Sequence, residues 1–451
     1  MMREAMSRVL RVAYVIVPVC ALAWVGLAVS RREARAGKPE VEIAIFQGGY
    51  QLDWFFDACD RYQALHPELH IDRWGDPRVS EKLRPRFIAG DMPDVCWPGW
   101  GVPLWKMIGG GKLYAFDAAL DRPAVGWEEP TPTGEPPSWR ETFLPGMLDQ
   151  YESSGHVYAV PFDMSVQLFW YNVALFEEHG WAPPETWPEF LGLCQRIKDS
   201  GIAPIAFQGR YPTYASFIFL DLLTNLGGTQ TVLDCDNLEP GAWEKPEVAQ
   251  AATLLQELAD RYFEQGCMGM SHTEAQMEFV NGRAAIVPCG TWLKSEMKNA
   301  LPEDFRMSCF KTPRLLQGRG DGRGVQVSAA YWIVPSEAPH PAVGVDFLRY
   351  MTSQRNARDF ARRKWTIMAV KGCGQNLSPE LAQAVAILES ATSRHSDRLT
   401  AWYPVWNEKF TDAMTALLNG DASPEEFSQR LEAAAAQIRA DPWTEKHHTE
   451  A

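Results

Sequence analysis

The sequence lacks the paired cysteines that are typical of small metal-bound or redox domains. Nine cysteines are spread over 451 residues, and no two of them form a Cys-x-x-Cys pair. This spacing argues against zinc-ribbon and thioredoxin-type domains. Eight cysteines follow residue 36. An even number permits disulfides in an oxidising compartment, but buried free thiols fit a chain of this size equally well.

Positive charge is also scarce. The chain has 43 Lys and Arg residues against 57 Asp and Glu residues, which gives a net charge of -14. Its longest basic run is Arg362-Arg363-Lys364. A general nucleic-acid binder needs a cationic surface to displace the counterions of phosphates. The composition therefore argues against a nucleic-acid partner.

Common catalytic and cofactor motifs are missing as well. The sequence has no Gly-x-Ser-x-Gly, His-Glu-x-x-His or Walker-type motif. His66 and His70 have the spacing of a helical metal pair, but Pro67 disfavours the helix. We therefore expect no catalytic residue, no metal and no cofactor. A pair of glycosidase carboxylates stays open, because 57 acidic residues make accidental pairs inevitable.

One long hydrophobic run is present at the N-terminus. Residues 12–30 carry no charge and follow Arg3, Arg8 and Arg11. As a helix they would span about 28 Å, close to the thickness of a bilayer core. Residues 1–36 are thus either a signal peptide, with small-residue cleavage patterns at 28–30 and 34–36, or a membrane anchor. The length of the run leads us to expect a fraction of the protein in membranes.

The rest of the chain alternates between strand and helix patterns. Apolar residues constitute 46% of the sequence, enough for a folded chain, and the length predicts two to four domains. Hydrophobic periodicity predicts strands at 41–47, 69–74 and 95–97, and helices at 52–65 and 80–89, the latter disturbed at Pro85. Capping boxes at Thr186 and Ser423 mark two later helix starts. These patterns predict an α/β fold whose ligand lies at the carboxyl ends of the strands.

Tryptophan is abundant, and much of it neighbours glycine or proline. The 18 tryptophans include four clusters with other aromatic or turn residues, at 97–100, 290–292, 331–332 and 402–406. A carbohydrate site needs aromatic planes for the apolar faces of sugar rings and polar groups for the hydroxyls. The clusters therefore favour a carbohydrate cleft, although core packing is the better explanation for any single Trp.

Six short motifs occur in an order that resembles a known family. They are Phe87–Val95 (FIAGDMPDV), Gly155–Pro161 (GHVYAVP), Leu168–Asn172 (LFWYN), Pro184–Phe190 (PETWPEF), Phe279–Ile286 (FVNGRAAI) and Gly290–Trp292 (GTW). This order resembles that of the family 1 extracellular solute-binding proteins. These are the sugar-binding subunits of bacterial ATP-binding-cassette (ABC) importers, and maltose-binding proteins are examples. The resemblance covers about residues 41–440.

The resemblance implies the two-lobed type II fold of periplasmic binding proteins. Each lobe would be a mostly parallel sheet flanked by helices, preceded here by the N-terminal hydrophobic helix. By motif order, lobe one comprises residues 37–162 plus 312–364, and lobe two comprises residues 163–311 plus 365–451. Strands near 157–163, 307–313 and 364–368 would connect the lobes. Closure around a ligand would be a hinge motion between them.

The resemblance also implies a set of ligand-binding residues in the cleft. These are Gln47, Tyr50, Trp97, Trp100, Asp163, Arg210, Tyr211, Trp292, Trp332 and Trp406. Trp292, in the Gly-x-Trp motif, is the principal candidate, whereas Gln47 and Tyr50 are equally well explained as turn residues.

The expected protein is therefore a monomeric subunit that binds a carbohydrate or a similar polar small molecule and has no activity of its own. It would work with an ABC permease in the periplasm or on the outer face of the cytoplasmic membrane, anchored there if residues 12–30 are retained. Two alternatives stay open: a membrane-tethered binding module of a sensor system, and a secreted glycoside hydrolase or lyase.

Overall fold

The computed structural model describes residues 37–99, 102–374 and 377–448. The N-terminal segment that is predicted to enter a membrane lies outside these ranges, and so does Trp100 of the predicted site. Within the described ranges, no helix is both long enough and apolar enough to span a bilayer.

The described residues form strands and helices, which alternate one by one over residues 40–109. The strands are β1 (Glu40–Phe46), β2 (His70–Asp76), β3 (Val95–Trp97), β4 (Glu152–Ser153), β5 (His156–Val157), β6 (Val160–Asn172), β7 (Ala203–Ile205), β8 (Ala284–Gly290), β9 (Met307–Phe310), β10 (Gly324–Trp332), β11 (Ile367–Met368) and β12 (Ser393–His395). The helices are α1 (Asp53–Leu65), α2 (Val79–Ala89), α3 (Leu104–Gly109), α4 (Asp117–Leu120), α5 (Val173–His179), α6 (Trp187–Asp199), α7 (Ser216–Gly227), α8 (Thr229–Asp236), α9 (Pro246–Tyr262), α10 (His272–Val280), α11 (Leu293–Met297), α12 (Pro341–Met351), α13 (Gln354–Lys364), α14 (Pro379–Ser390), α15 (Arg398–Trp402), α16 (Pro404–Leu418) and α17 (Pro424–Ala440).

The first sheet forms as the hydrophobic periodicity predicts. Strand β1 pairs in parallel with β2 on one side and with β3 on the other. Helix α1 connects β1 to β2 and buries Trp54 and Phe55 against the sheet. Helix α2 continues through Pro85, where the sequence predicts a disturbance. It loses one backbone donor there, and the burial of Val79 and Leu83 on its inner face offsets that loss.

Strand β6 runs through the middle of the molecule. Its first half pairs with β10 and β11, and its second half pairs with β8 and β9. All four pairings are antiparallel, whereas β7 with β8 and β10 with β12 are parallel. The expectation of mostly parallel sheets therefore holds for the first sheet and not for this one. The difference arises because β6 enters the second sheet against the direction of its neighbours.

Two aromatic cores lie at the two ends of β6. In the first, Trp54 of α1 packs against Phe360 of α13, with ring centroids 4.8 Å apart. In the second, Phe169 of β6 packs against Phe190 of α6 at 5.0 Å and Phe217 of α7 at 5.4 Å. Helices α9, α16 and α17 complete this second core. Helices α12 and α13 thus join the first sheet, although 243 residues lie between the end of β3 and the start of α12.

The two capping boxes that the sequence predicts form at the starts of their helices. Thr186 and Ser423 both form capping boxes, with Glu189 and Glu426 respectively.

All eight cysteines of the described ranges are buried free thiols, so none of them forms a disulfide. The same ranges contain no group of three or more His, Cys, Asp or Glu residues placed to hold a metal ion.

Candidate functional site

The central strand β6 carries a polar stripe on one face. Asp163, Ser165 and Gln167 alternate with Met164 and Val166, so the polar side chains share one face and the apolar ones share the other. The apolar face packs into the first hydrophobic core. Asp163 and Ser165 are buried, although their side chains are polar. A buried polar stripe between two apolar cores is the feature that a cleft for a polar ligand requires.

Trp292 lies beside this stripe. Its ring covers Gly290, because a Cβ on Gly290 would collide with the six-membered ring of the indole. Gly290 pairs with Gln167 across the β6–β8 ladder, and paired residues on adjacent strands point to the same face. The indole of Trp292 therefore lies on the face that carries Gln167 and Asp163.

The glycine turn that follows β1 also lies close to Trp292. A Cβ on Gly49 would lie 3.5 Å from Cδ1 of Trp292 and 3.4 Å from the Cβ of Glu296. Gly49 follows a strand of the first sheet, whereas Trp292 and Glu296 follow a strand of the second. Residues from both sheets thus meet at Trp292, and Gln47 and Tyr50 belong to the same turn as Gly49. Gln47 is half-buried, and its backbone N–H donates to the carbonyl of Asp76 at 3.1 Å.

Asp163 and Tyr50 form the buried polar end of this site. The hydroxyl of Tyr50 is 2.6 Å from the hydroxyl of Thr366. Burial raises the pKa of Asp163 to about 7, although a hydrogen bond from the Tyr50 hydroxyl offsets part of the rise. Burial also holds the pKa of Tyr50 well above its ordinary value. The buried Oδ1 atom of Asp163 has no hydrogen-bond partner among the described residues, so a ligand hydroxyl that reached it would supply the missing bond.

Replacing Asp163 with asparagine is expected to flatten the pH dependence of stability. The carboxyl has a pKa of about 3.9 in the unfolded chain and about 7 in the fold. The folded protein binds this proton more tightly, so the stabilisation is complete below pH ~4 and is lost as the pH rises towards ~7. Urea unfolding between pH 4 and 8 measures this loss. The loss should be smaller in Asp163→Asn, and equal losses in the two proteins would contradict the prediction.

The comparison of Asp163→Asn with the unsubstituted protein also controls for a second acidic group with a raised pKa. Asp236, away from this site, has a pKa that burial likewise raises to about 7. Because Asp236 is present in both proteins, its contribution cancels in the comparison.

The rim of the site contains residues that the sequence analysis missed. The ring of Tyr214 lies 6.5 Å from the ring of Trp292. Gln276 donates to Glu296 at 2.7 Å, and His272 Nε2 lies 3.6 Å from the other carboxylate oxygen of Glu296. Helical spacing is the signal that would have found Tyr214 and Glu296. Tyr214 lies three residues after the predicted Tyr211, and Glu296 lies four residues after the predicted Trp292.

Tyr211 and Arg210, both predicted from sequence, lie in the loop that precedes Tyr214. Tyr211 is 45% exposed, and its ring lies 5.5 Å from that of His272. Arg210 is exposed, and its backbone N–H donates to the carbonyl of Met270 at 3.0 Å. The structure thus connects Tyr211 with Glu296 through His272, whereas no side-chain contact ties Arg210 to this group within the described residues.

Three predicted tryptophans lie in the cores. Trp332 is 1% exposed and packs against Phe55 and Trp97 at 5.8 and 5.9 Å. Trp406 is also 1% exposed and packs against Trp243 at 4.8 Å. Neither ring has a free face for a sugar, which corrects the expectation that they line the cleft. Trp97 is 7% exposed, with most of its ring in the first core.

A family model and individual relatives match this chain. The model of the bacterial extracellular solute-binding protein family matches residues 50–358. The diacetylchitobiose binding protein NgcE of Streptomyces coelicolor is 26% identical over 419 residues, which cover 91% of this chain and 87% of that protein. A multiple sugar-binding protein of Streptococcus mutans is 24% identical over 361 residues, 78% of this chain and 80% of that protein.

Solved structures match the fold over most of its length. A chitin oligosaccharide binding protein superposes with a TM-score of 0.75 at 18% identity, covering 90% of this chain and all of that one. The solute-binding protein RafE in complex with raffinose gives a TM-score of 0.72 at 19% identity, covering 89% of this chain and 100% of that chain. These matches confirm the predicted two-lobed type II fold.

Proposed function

Because the chain belongs to the bacterial extracellular solute-binding protein family, we propose that it is the carbohydrate-binding subunit of an ABC importer. One observation carries the choice of ligand. The indole ring of Trp292 lies on the same face as the buried Asp163, and a turn from the first sheet reaches the indole. One carboxylate oxygen of Asp163 has no hydrogen-bond partner in the part of the chain that the structure describes. An aromatic plane beside a buried acceptor suits a sugar ring with its hydroxyls.

The relatives support the same class of ligand. Their names specify diacetylchitobiose, multiple sugars and chitin oligosaccharides. The comparisons favour neither the sensor module nor the glycoside hydrolase. The protein on this view binds a saccharide, delivers it to a permease and catalyses no reaction.

The proposal also covers closure of the two lobes around the ligand, the oligomeric state and the location of the protein. The ligand contacts lobe one at the Gly48–Gly49 turn and lobe two at Trp292, so binding favours the arrangement in which the lobes are closed. The lobes have the boundaries that the family resemblance implies. The protein acts as a monomer outside the cytoplasm. If residues 12–30 are not cleaved, they hold the protein at the membrane.

Calorimetry and thermal unfolding with two saccharide series test the proposal. One series is N-acetylglucosamine with its β-1,4-linked dimer and trimer, and the other is glucose, maltose and maltotriose. A sugar at 100 times its dissociation constant should stabilise the fold by ~2.7 kcal/mol. Small-angle scattering should then show compaction. The absence of any binding across a broader panel of neutral and charged sugars would overturn the carbohydrate assignment, and hydrolysis of a sugar would overturn the assignment as a non-enzyme.

A further inference from the structure

A short segment after α17 packs against helix α3 and the junction of α15 with α16. It comprises residues 441–448, which we call the strap, and it follows the last residue of α17, Ala440. The strap has hydrogen bonds of its own. Oδ1 of Asp441 accepts from the backbone N–H of Trp443 at 2.9 Å, and Oδ2 accepts from the hydroxyl of Thr444 at 2.6 Å. These bonds turn the chain directly after α17.

His447 of the strap lies among three aromatic rings. Its ring centroid is 4.7 Å from that of Trp105, 5.5 Å from that of Trp402 and 5.8 Å from that of Tyr403. The backbone N–H of His447 also donates to the hydroxyl of Tyr403 at 2.8 Å. Trp105 and Tyr403 are only 8% and 2% exposed. The strap is therefore attached by an aromatic ring in a largely buried pocket and by a backbone hydrogen bond.

The aromatic pocket around His447 is built from both halves of the molecule. Trp105 of α3 packs in one core with Ala44 of β1 and Cys96 of β3, two strands of the first sheet. Tyr403 packs in the second core, and Trp402 packs against both of these cores. Under the lobe boundaries that the family resemblance implies, Trp105 lies in lobe one, whereas Trp402 and Tyr403 lie in lobe two.

The strap crosses between the same two halves. It begins at α17, whose buried residues belong to the second core. Glu445 reaches the last residue of α3, because a Cβ on Gly109 would lie 2.5 Å from Oε2 of Glu445. Two residues later, the backbone bond of His447 to Tyr403 returns the strap to the second core. The strap thus contacts lobe one while both of its ends stay on lobe two.

The cleft contact between the lobes is present in the same arrangement. A Cβ on Gly49, at the turn after β1, would lie 3.5 Å from Cδ1 of Trp292, which follows β8. The pocket around His447 and the approach of Gly49 to Trp292 therefore form together. An opening of the cleft by rotation of the lobes moves Trp105 relative to Trp402 and Tyr403.

We propose that the strap is a latch that favours the closed arrangement of the lobes and slows the release of the ligand. This inference rests on the lobe closure that is part of the proposed function. When the lobes separate, the ring of His447 loses its contact either with Trp105 or with Trp402 and Tyr403. Because the strap and the ligand both favour the closed arrangement, the strap opposes the opening through which the ligand leaves.

His447→Ala in the otherwise unchanged chain tests the latch. Stopped-flow fluorescence measures the release rate of the sugar that binds most tightly in the two saccharide series, and small-angle scattering measures the radius of gyration without sugar. Release should be about three- to tenfold faster in His447→Ala, which corresponds to the loss of one aromatic contact. The radius of gyration without sugar should increase, because more molecules have separated lobes.

Matched variants separate the latch from a general effect on stability. His447→Phe keeps a flat ring and the backbone N–H, so the release rate should stay close to that of the unsubstituted protein. His448→Ala removes the neighbouring exposed histidine and should change neither measurement. A chain that ends at Ala440 lacks the whole strap and should exceed His447→Ala in both effects. All measurements are made at a temperature well below the melting transition of each variant.

Two outcomes would overturn the latch. The first is an equal release rate and an equal radius of gyration in the unsubstituted protein and in the chain that ends at Ala440. The second is slower release in His447→Ala, which would mean that the strap favours open lobes. The scattering measurement needs no ligand. If no sugar binds but loss of the strap still increases the radius of gyration, the latch is supported and the carbohydrate function fails.

Discussion

Trp292→Ala is expected to weaken saccharide binding at least tenfold. The indole lies over Gly290 with one edge toward Tyr214, and it is only half-buried. Loss of the ring removes both apolar contact and aromatic stacking, and the stacking alone is worth about 0.5 to 1.5 kcal/mol. A loss of ~1.4 kcal/mol corresponds to a tenfold change in affinity. Calorimetry on the folded variant measures the dissociation constant directly.

The stability of the same variant decides whether Trp292 acts as a ligand contact. Without sugar, the substitution should lower the free energy of unfolding by much less than the roughly 3 to 5 kcal/mol that removal of a fully buried tryptophan costs. Trp292→Phe retains a flat ring and is expected to recover part of the affinity. A strongly destabilised Trp292→Ala with unchanged affinity per folded molecule would place the residue in the core instead.

Trp332→Ala should give the opposite pattern. The ring is fully buried between Phe55, Trp97 and Phe347, so its removal leaves a cavity in the first core. We expect the free energy of unfolding to fall by about 3 to 5 kcal/mol. Because the ring lacks a free face, the affinity of the molecules that remain folded should change little.

Urea unfolding and calorimetry on the same preparation test this prediction. Trp332→Phe provides the control, since it keeps much of the volume and should cost less stability. A large loss of affinity in Trp332→Ala, at a temperature where the variant is fully folded, would return Trp332 to the binding site and contradict the burial argument.

Local elements were predictable where hydrophobic periodicity and caps agree. The strand predicted at 95–97 is β3, and the helix predicted at 52–65 is α1 with one residue fewer. The capping boxes at Thr186 and Ser423 mark the starts of α6 and α17. These signals depend on neighbours in sequence, so the residues alone carry them. Helix α2 continues past Pro85, and Val79 and Leu83 on its inner face are buried.

The site was only partly predictable, because tryptophans of similar sequence context have different neighbours in the fold. Trp292 and Trp332 both follow strand residues, yet the first covers a glycine at the cleft and the second faces α1 and α12 in the core. That difference depends on packing between elements that are far apart in sequence. The same holds for Glu296 and His272, whose proximity comes from the fold of α10 against α11.

The buried thiols make this protein convenient for site-selective labelling. All eight cysteines after residue 36 are buried, and burial raises the pKa of Cys59 to about 12 and that of Cys267 to about 11. Such thiols form little thiolate at neutral pH and react slowly with maleimides. In a protein that begins at residue 37, one cysteine placed on each lobe surface would therefore accept a fluorophore pair without removal of the native cysteines. Energy transfer between the dyes would then report sugar concentration as an optical signal.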